Sequence, residues 1–357
     1  MAPLPPLVMG GAGFSYQLHQ NPETLPVRDI LLRALDLGVR TFDTSPYYEP
    51  SEQLLGAALA DPAITSRHAR QDMVIMTKVG RLSEHVFDYS PAWVRQSVAR
   101  SLERFQTSYL DVVFCHDVEF VSLEQAAGAV EVLFSLQEAG VIRRVGISGH
   151  DMRQLARVAT AVVNKLGRPL DVIQTWAQLT LQNTLAEQWG FDLFRAAGVN
   201  TVFCSSPLAV GLLRNGGIPT GRTGDWHPAP PGMRVAVQQA AQWVEGDKKE
   251  TLAALALRYA VSKAMQNCRD GFTVTTITGA GSLSDLEENV ATVKQILKVA
   301  DMVTTSSPTL DQYTELDIAA LARDQPLFDG VRAVLGEWVD FDLSGKRAPE
   351  ESVRSSI

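Results

Sequence analysis

Cysteine is scarce in this sequence: there are three in 357 residues, Cys115, Cys204 and Cys268, with no paired spacing. That number supports neither a disulfide framework nor a zinc site, and no metal is expected. Cys115 and Cys204 lie inside apolar runs and read as buried core residues. No apolar run approaches the roughly 18 residues that a membrane-spanning helix needs. The first six residues lack a basic stretch followed by an apolar one, so no signal peptide is expected and a soluble, cytoplasmic protein is. A basic surplus is missing too. With 32 Lys and Arg against 40 Asp and Glu, the formal net charge of −8 argues against nucleic acid or an anionic membrane as partner.

What is present is ordinary for a globular enzyme: 45% hydrophobic and 20% charged residues, in a chain long enough to bury a core without staples. Short β-rich runs recur at residues 7–9, 39–43, 73–78, 110–116, 145–148, 172–174, 201–205 and 274–278. Several are near-continuous Val, Ile and Phe, as parallel strands covered on both faces should be. Helical patterns separate them. Residues 28–37 end before Gly38, Ser90-Pro91 reads as an N-cap followed by proline, and Ser122 with Gln125 has capping-box spacing. Ser284 with Glu287 has the same spacing near the eighth run. This alternation predicts an α/β fold, a single-domain (β/α)8 barrel over residues 1–302. Gly10-Gly11-Ala12-Gly13 lacks dinucleotide-fingerprint spacing and is expected to form a flexible turn at the barrel mouth. Residues 214–233, rich in Gly, Pro and Arg, are expected to loop over that mouth. Residues 303–357 read as a partly helical extension whose last dozen residues are disordered.

Active sites of such barrels lie at the C-terminal ends of the strands. The last polar residues of the runs are Asp43, Lys78, His116, Ser148 and Gln174, with Tyr47 and Tyr48 just beyond the second run. Each has a bland alternative: Lys78 could cap the sheet in solvent, His116 could be a core histidine, and Asp43 could bond turn amides. Together they form a tuned proton donor and acceptor. A free tyrosine has a pKa of about 10, which a neighbouring ammonium would lower. A carboxylate keeps that lysine charged, and a histidine can orient a substrate oxygen. The set suits hydride transfer to or from a nicotinamide.

Phe42-Asp43-Thr44-Ser45-Pro46-Tyr47-Tyr48 with Ser51-Glu52-Gln53-Leu54-Leu55-Gly56, then Thr77-Lys78-Val79-Gly80-Arg81, then Cys115-His116-Asp117, resemble the successive signatures of the aldo-keto reductases. Cys115-His116-Asp117-Val118-Glu119-Phe120, Gly146-Ile147-Ser148-Gly149, Leu181-Gln182-Asn183 and Trp226-His227-Pro228-Ala229 resemble the branch that holds fungal D-arabinose and plant L-galactose dehydrogenases. The resemblance implies oxidation of an aldose at its anomeric hydroxyl to the lactone. Asp43, Tyr48, Lys78 and His116 would be catalytic, with Tyr48 accepting the hydroxyl proton. It places Ser148 and Gln174 against the nicotinamide carboxamide. It also implies a substrate pocket from Tyr47, Asp117, Phe120, Trp176, Trp226 and His227. Glu49 stands where the family usually has glycine, and Gly149 where it commonly has asparagine.

Ser206, Leu208 and Gly211 after the seventh run, and Gly279 and Ser282 after the eighth, are placed where such barrels bind phosphate. Glu288 and Asn289 match the family's adenine-binding pair. Asp285 stands where NADP-preferring members usually carry basic residues; a carboxylate there repels a 2′-phosphate, so NAD is expected over NADP. The alternatives are an NAD(P)H-dependent aldehyde or ketone reductase and, in another class, a cofactor-binding regulatory subunit resembling potassium-channel β subunits. The expected partner is a small sugar or carbonyl compound. No heptad or exposed apolar stripe stands out, so the sequence sets no oligomeric state.

Overall fold

The computed structural model describes residues 5–218, 221, 224–248, 250–300 and 308–344. The strands β1 Leu7–Gly10, β2 Thr41–Asp43, β3 Val74–Val79, β4 Leu110–Cys115, β5 Ile142–Gly149, β6 Val172–Trp176, β7 Thr201–Ser205 and β8 Thr273–Gly279 close into a barrel in sequence order. Neighbouring barrel strands are parallel, β8 returning to β1 through Leu7↔Thr276. The helices are α1 Val27–Asp36, α2 Ser51–Leu59, α3 Pro62–Thr65, α4 Pro91–Phe105, α5 Leu123–Glu138, α6 Met152–Leu166, α7 Phe191–Ala196, α8 Pro231–Lys248, α9 Leu252–Gln266, α10 Leu283–Lys294 and α11 Ile318–Leu335. Among the described residues no helix is long and apolar enough to cross a membrane.

The period of two along each strand sorts side chains between two cores. Val8, Met76, Val112, Phe114, Val172, Phe203 and Ile277 fill the barrel, with Phe114 and Phe203 edge to face at 6.1 Å. The alternate residues, among them Phe42, Val79, Val113, Cys115, Ile147 and Ile173, pack outward beneath the helices. Asp43, Lys78, Ser148 and Gln174 therefore stand on inward positions at the upper strand ends. His116 continues the inward phase of Phe114 one residue past β4. Gly146 leaves room at the centre, because a Cβ there would stand 2.5 Å from Val172 and 2.8 Å from Phe114.

The helix signals hold at Ser90, whose hydroxyl accepts from Trp93 N–H, and at Ser122, which makes the reciprocal capping box with Gln125. Near the eighth strand the cap is Ser282, which accepts from Asp285 N–H, not Ser284. Ser284 already lies in the first turn and donates to Glu288. β5 starts at Ile142, earlier than its apolar run, because Arg143 and Arg144 sit at the exposed base of the barrel, where Arg143 pairs with Asp111. The Gly10–Gly13 stretch is a 3-10 turn over Gly11–Phe14; the Gly11 carbonyl accepts from Ser51 Oγ of α2 at 2.9 Å, and a Cβ on Gly11 would stand only 2.8 Å from Ser51 and 3.0 Å from Leu55.

Beyond the barrel, β9 Leu297–Val299 pairs antiparallel with β10 Tyr313–Leu316, and α11 packs on α8. After α11 the chain reaches the loop that follows β6. Gln182 Nε2 donates to the carbonyls of Trp338 (2.7 Å) and Phe341 (3.1 Å), and Thr184 N–H donates to Asp340 (2.8 Å). The disorder expected for the last dozen residues lies outside the described residues.

Candidate active site

Lys78 organises the upper end of the barrel. Its ammonium donates to Asp43 Oδ1 (3.0 Å), Asp43 Oδ2 (2.9 Å) and the Thr44 carbonyl (2.9 Å), so all three protons are spent. Lys78 and Asp43 are both buried. Gln174 Nε2 donates to the same carboxylate at 3.2 Å. Tyr48 reaches this pair from the turn after β2, whose Tyr48 N–H donates to the Ser45 carbonyl. Its ring centre lies 5.2 Å from Lys78 Nζ, and the His116 ring meets it edge-on at 5.7 Å. Asp43 and Lys78 at the ends of β2 and β3, His116 just past β4, Gln174 of β6 and Tyr48 of the turn after β2 converge on one mouth.

Their protonation differs from the sequence expectation in one respect. Burial pushes the Tyr48 phenol well up, and the charges of Asp43 and Asp117 push it further. The Lys78 ammonium beside it is neutralised by its own carboxylate and presents little net field to a neighbour. Tyr48 is therefore held as a phenol. Burial pulls the His116 imidazole down to about 3 against the influence of Asp117, while Lys78 and Arg81 add to the fall. His116 is neutral near pH 7, with Nδ1 3.0 Å from Ser45 Oγ and Nε2 3.6 Å from Asp117.

Around this centre the expected pocket residues divide. Tyr47 packs edge-on to His116 at 5.9 Å and beneath the Arg81 guanidinium at 4.1 Å. Asp117, in a left-handed conformation (φ 56°), is buried and ion-paired with Arg81. Trp176 stacks on His150 at 4.2 Å. Phe120 instead is exposed and stacks on Phe87 at the rim. Trp226 is exposed, and its neighbour His227 is buried with Nε2 3.2 Å from the Ala209 carbonyl, tying the chain just before α8 to the loop after β7; the loop expected to run to residue 233 gives way to α8 at Pro231. Glu49 turns away from the mouth to pair with Arg104 at 2.8 Å. Arg104 also holds buried Glu52, which accepts from Thr77 and Ser101, so α2, β3 and α4 are locked together behind the site.

Arg81, Glu119 and His150 were not among the expected site residues. His150 was within reach, since it continues the inward phase of Gly146 and Ser148. Arg81 and Glu119 sit on loops after β3 and β4, where no periodicity marks direction. Asp117, Glu119 and His150 bring one potential ligand atom each within 4.8 Å of one another. Arg81 already supplies a cation to Asp117 there.

The remaining expected residues lie where β5 to β8 end. Ser148 Oγ is buried, 3.4 Å from the Cys115 carbonyl, and Gln174 Oε1 is buried without a partner. That orphaned acceptor, beside Ser148, fits an amide donor such as a nicotinamide carboxamide. Ser206 N–H donates to the Ile277 carbonyl, joining the loops after β7 and β8. Ser206, Ala209, Val210 and Gly211 all have positive φ, and the Leu208 carbonyl accepts from Gly211 and Leu213. Non-glycine residues held there store strain that gathers at ligand-binding loops. Across from them, Gly279 O accepts from Asn289, Gly281 N–H donates to Asp285 (3.0 Å), and the capped start of α10 opens the helix. This pair of loops fits a pyrophosphate.

Comparison with known proteins agrees with this geometry. The family model described as "Aldo/keto reductase family" matches residues 6–306. The chain is 38% identical over 266 residues to D-arabinose 1-dehydrogenase of Saccharomyces cerevisiae, covering 74% of this chain and 77% of the relative. It is 34% identical over 293 residues to L-galactose dehydrogenase of Arabidopsis thaliana, covering 81% of each. Among solved structures, an aldo-keto reductase from Bacillus halodurans in holo form superposes with a TM-score of 0.57 at 24% identity, over 86% of this chain and 90% of that one, a likeness of fold.

Proposed function

The chain belongs to the aldo/keto reductase family, and on that premise we propose that it oxidises an aldose of the D-arabinose or L-galactose type at the anomeric hydroxyl to the lactone, with NAD as cofactor. The observation that carries the reading is the meeting of Tyr48, neutral His116 and the buried Lys78–Asp43 pair at one barrel mouth. The chain's likeness to two aldose dehydrogenases supports an aldose as the substrate class.

When bound, the nicotinamide supplies the carbon that accepts hydride. The chain's residues handle orientation and the proton. His116 Nε2 and Tyr48 Oη would hold the oxygen on the reacting carbon; once Tyr48 has given up its own phenolic proton to solvent, its oxygen would take the substrate's proton as the C=O bond forms. Asp43 and Lys78 keep the environment of Tyr48 fixed. Ser148 and Gln174 would hold the carboxamide. Ser206, Leu208, Gly211, Gly279 and Ser282 would face the pyrophosphate, with Glu288 and Asn289 at the adenine. The Asp285 carboxylate beside Gly281 N–H would disfavour a 2′-phosphate, supporting NAD over NADP.

One observation favours a second reading. A phenol pushed upward is a better donor than acceptor, which suits reduction of an aldehyde or ketone. A panel of aldoses with NAD⁺ and NADP⁺, followed by absorbance of the reduced cofactor, decides between them. Lactone formation from D-arabinose, L-galactose or L-fucose with NAD⁺ is expected. Silence across the panel together with aldehyde reduction would replace the first reading by the second.

A further inference from the structure

Asp117 lies between two imidazoles. Its Oδ2 is 3.6 Å from His116 Nε2 and its Oδ1 is 3.7 Å from His150 Nε2. Both distances are too long for a direct hydrogen bond, so both ring nitrogens and the carboxylate keep capacity facing one another. Arg81 pairs with Oδ2 and keeps the carboxylate ionised. Burial alone would push Asp117 up, but His116, His150 and Arg81 hold it below the usual range.

His150 is fixed from several sides. Its backbone N–H donates to Glu119 Oε1 at 2.6 Å, and its carbonyl accepts from Gln178 Nε2 at 3.2 Å. Trp176 covers one ring face. Gln178 is in turn bonded to Asp342 from the segment after α11. Yet the His150 side chain keeps 29% of its surface exposed. The support also needs a glycine: a Cβ on Gly149 would stand 2.2 Å from Glu119 Oε2. So restrained an imidazole, part exposed and sharing Asp117 with His116, is a prepared contact for something that enters the mouth.

We propose that Asp117 and His150 form a specificity-determining subsite for the hydroxyl on the carbon next to the reacting one, so that the enzyme selects vicinal diols. The proposal rests on the aldose-oxidation reading. A hydroxyl oxygen about 2.8 Å from both His150 Nε2 and Asp117 Oδ1 fits a 3.7 Å gap, donating to the carboxylate and bonding the imidazole. The oxygen on the reacting carbon lies across the carboxylate, at His116. The oxygen on the neighbouring carbon would then fall to the other carboxylate oxygen, at His150. Glu119 is a positioning residue that acts through the His150 backbone.

The test compares D-arabinose with 2-deoxy-D-ribose, the same sugar without its second hydroxyl, using NAD⁺ and the full chain. The proteins are wild type, His150→Phe, Glu119→Ala and Glu119→Gln, each checked by thermal melting. Wild type is expected to prefer the full sugar at least tenfold in kcat/KM. His150→Phe keeps the stack on Trp176 and should bring the ratio within threefold, mainly through KM for D-arabinose. Glu119→Ala should move it the same way, and Glu119→Gln, which retains an acceptor for the His150 N–H, should restore it. A ratio unchanged in His150→Phe, or a wild type indifferent to the second hydroxyl, overturns the subsite alone. A wild type inactive on the whole aldose panel overturns the function reading, and the subsite with it.

Discussion

Lys78 spends its whole charge on Asp43, with Nζ 2.9 and 3.0 Å from the two carboxylate oxygens, in a place where neither residue meets solvent. Breaking one side of such a pair leaves an uncompensated buried charge. Asp43→Asn should therefore cost about 3 kcal/mol of stability in urea unfolding, and Lys78→Met a similar amount. The double variant should recover part of that loss. Equal, additive losses would show that the two charges do not depend on each other.

Tyr48 is the group that this pair surrounds. Tyr48→Phe removes one oxygen and should lower turnover by about 10²-fold or more, the contribution expected of a positioned acid or base. Its melting temperature should stay near that of wild type. Activity within threefold of wild type would remove Tyr48 from proton transfer and favour a cofactor-binding role for the chain.

His116 carries a pH signature. Its folded pKa of about 3 lies below the ordinary value near 6.5, so the unfolded chain binds the extra proton first. The stability linked to this depressed pKa is fully present above about 6.5 and is lost as pH falls from there toward 3. Denaturant melts of wild type and His116→Asn at pH 7 and pH 4.5 isolate this component. The wild type should lose more stability than the variant on acidification, by on the order of 2 kcal/mol. Parallel losses would mean that His116 is not held neutral by burial.

Gly149 and Glu119 are complementary in shape. Gly149→Ala puts a methyl into the Glu119 carboxyl and should cost about 1–3 kcal/mol by overpacking. In a Glu119→Ala background the same substitution should cost much less, which a double-mutant cycle on urea midpoints would read. Additive effects would show that the carboxyl moves aside freely.

Asp285 bears on cofactor choice. Asp285→Asn keeps an acceptor for Gly281 N–H while removing the charge, and should narrow the NAD⁺ to NADP⁺ ratio in kcat/KM about tenfold, near 1.4 kcal/mol. Initial rates with both cofactors measure it. An unchanged ratio would place discrimination elsewhere.

Much of this protein was legible in the chain. Alternating strand and helix patterns announced a (β/α)8 barrel because parallel strands buried on both faces leave continuous apolar runs. Strand ends located Asp43, Lys78, His116, Ser148 and Gln174, since a period of two carries a known core position forward to the rim. Loop residues were harder. Phe120 and Trp226 share motifs with pocket residues but turn out to solvent, and Arg81 and Glu119 turn in. No repeat period governs an irregular loop.

The sequence by itself determined the barrel and the residues at its mouth, through local periodicity and helix capping. Only the tertiary structure decided their chemical states. Whether Lys78 lowers Tyr48 or is consumed by Asp43 depends on three distances set by closure of β2 on β3. Whether His150 joins His116 depends on the β4 loop folding its Glu119 carboxyl into the space above Gly149. Charge interactions and steric fit act through space at a few ångströms, and the chain's linear order does not record those separations.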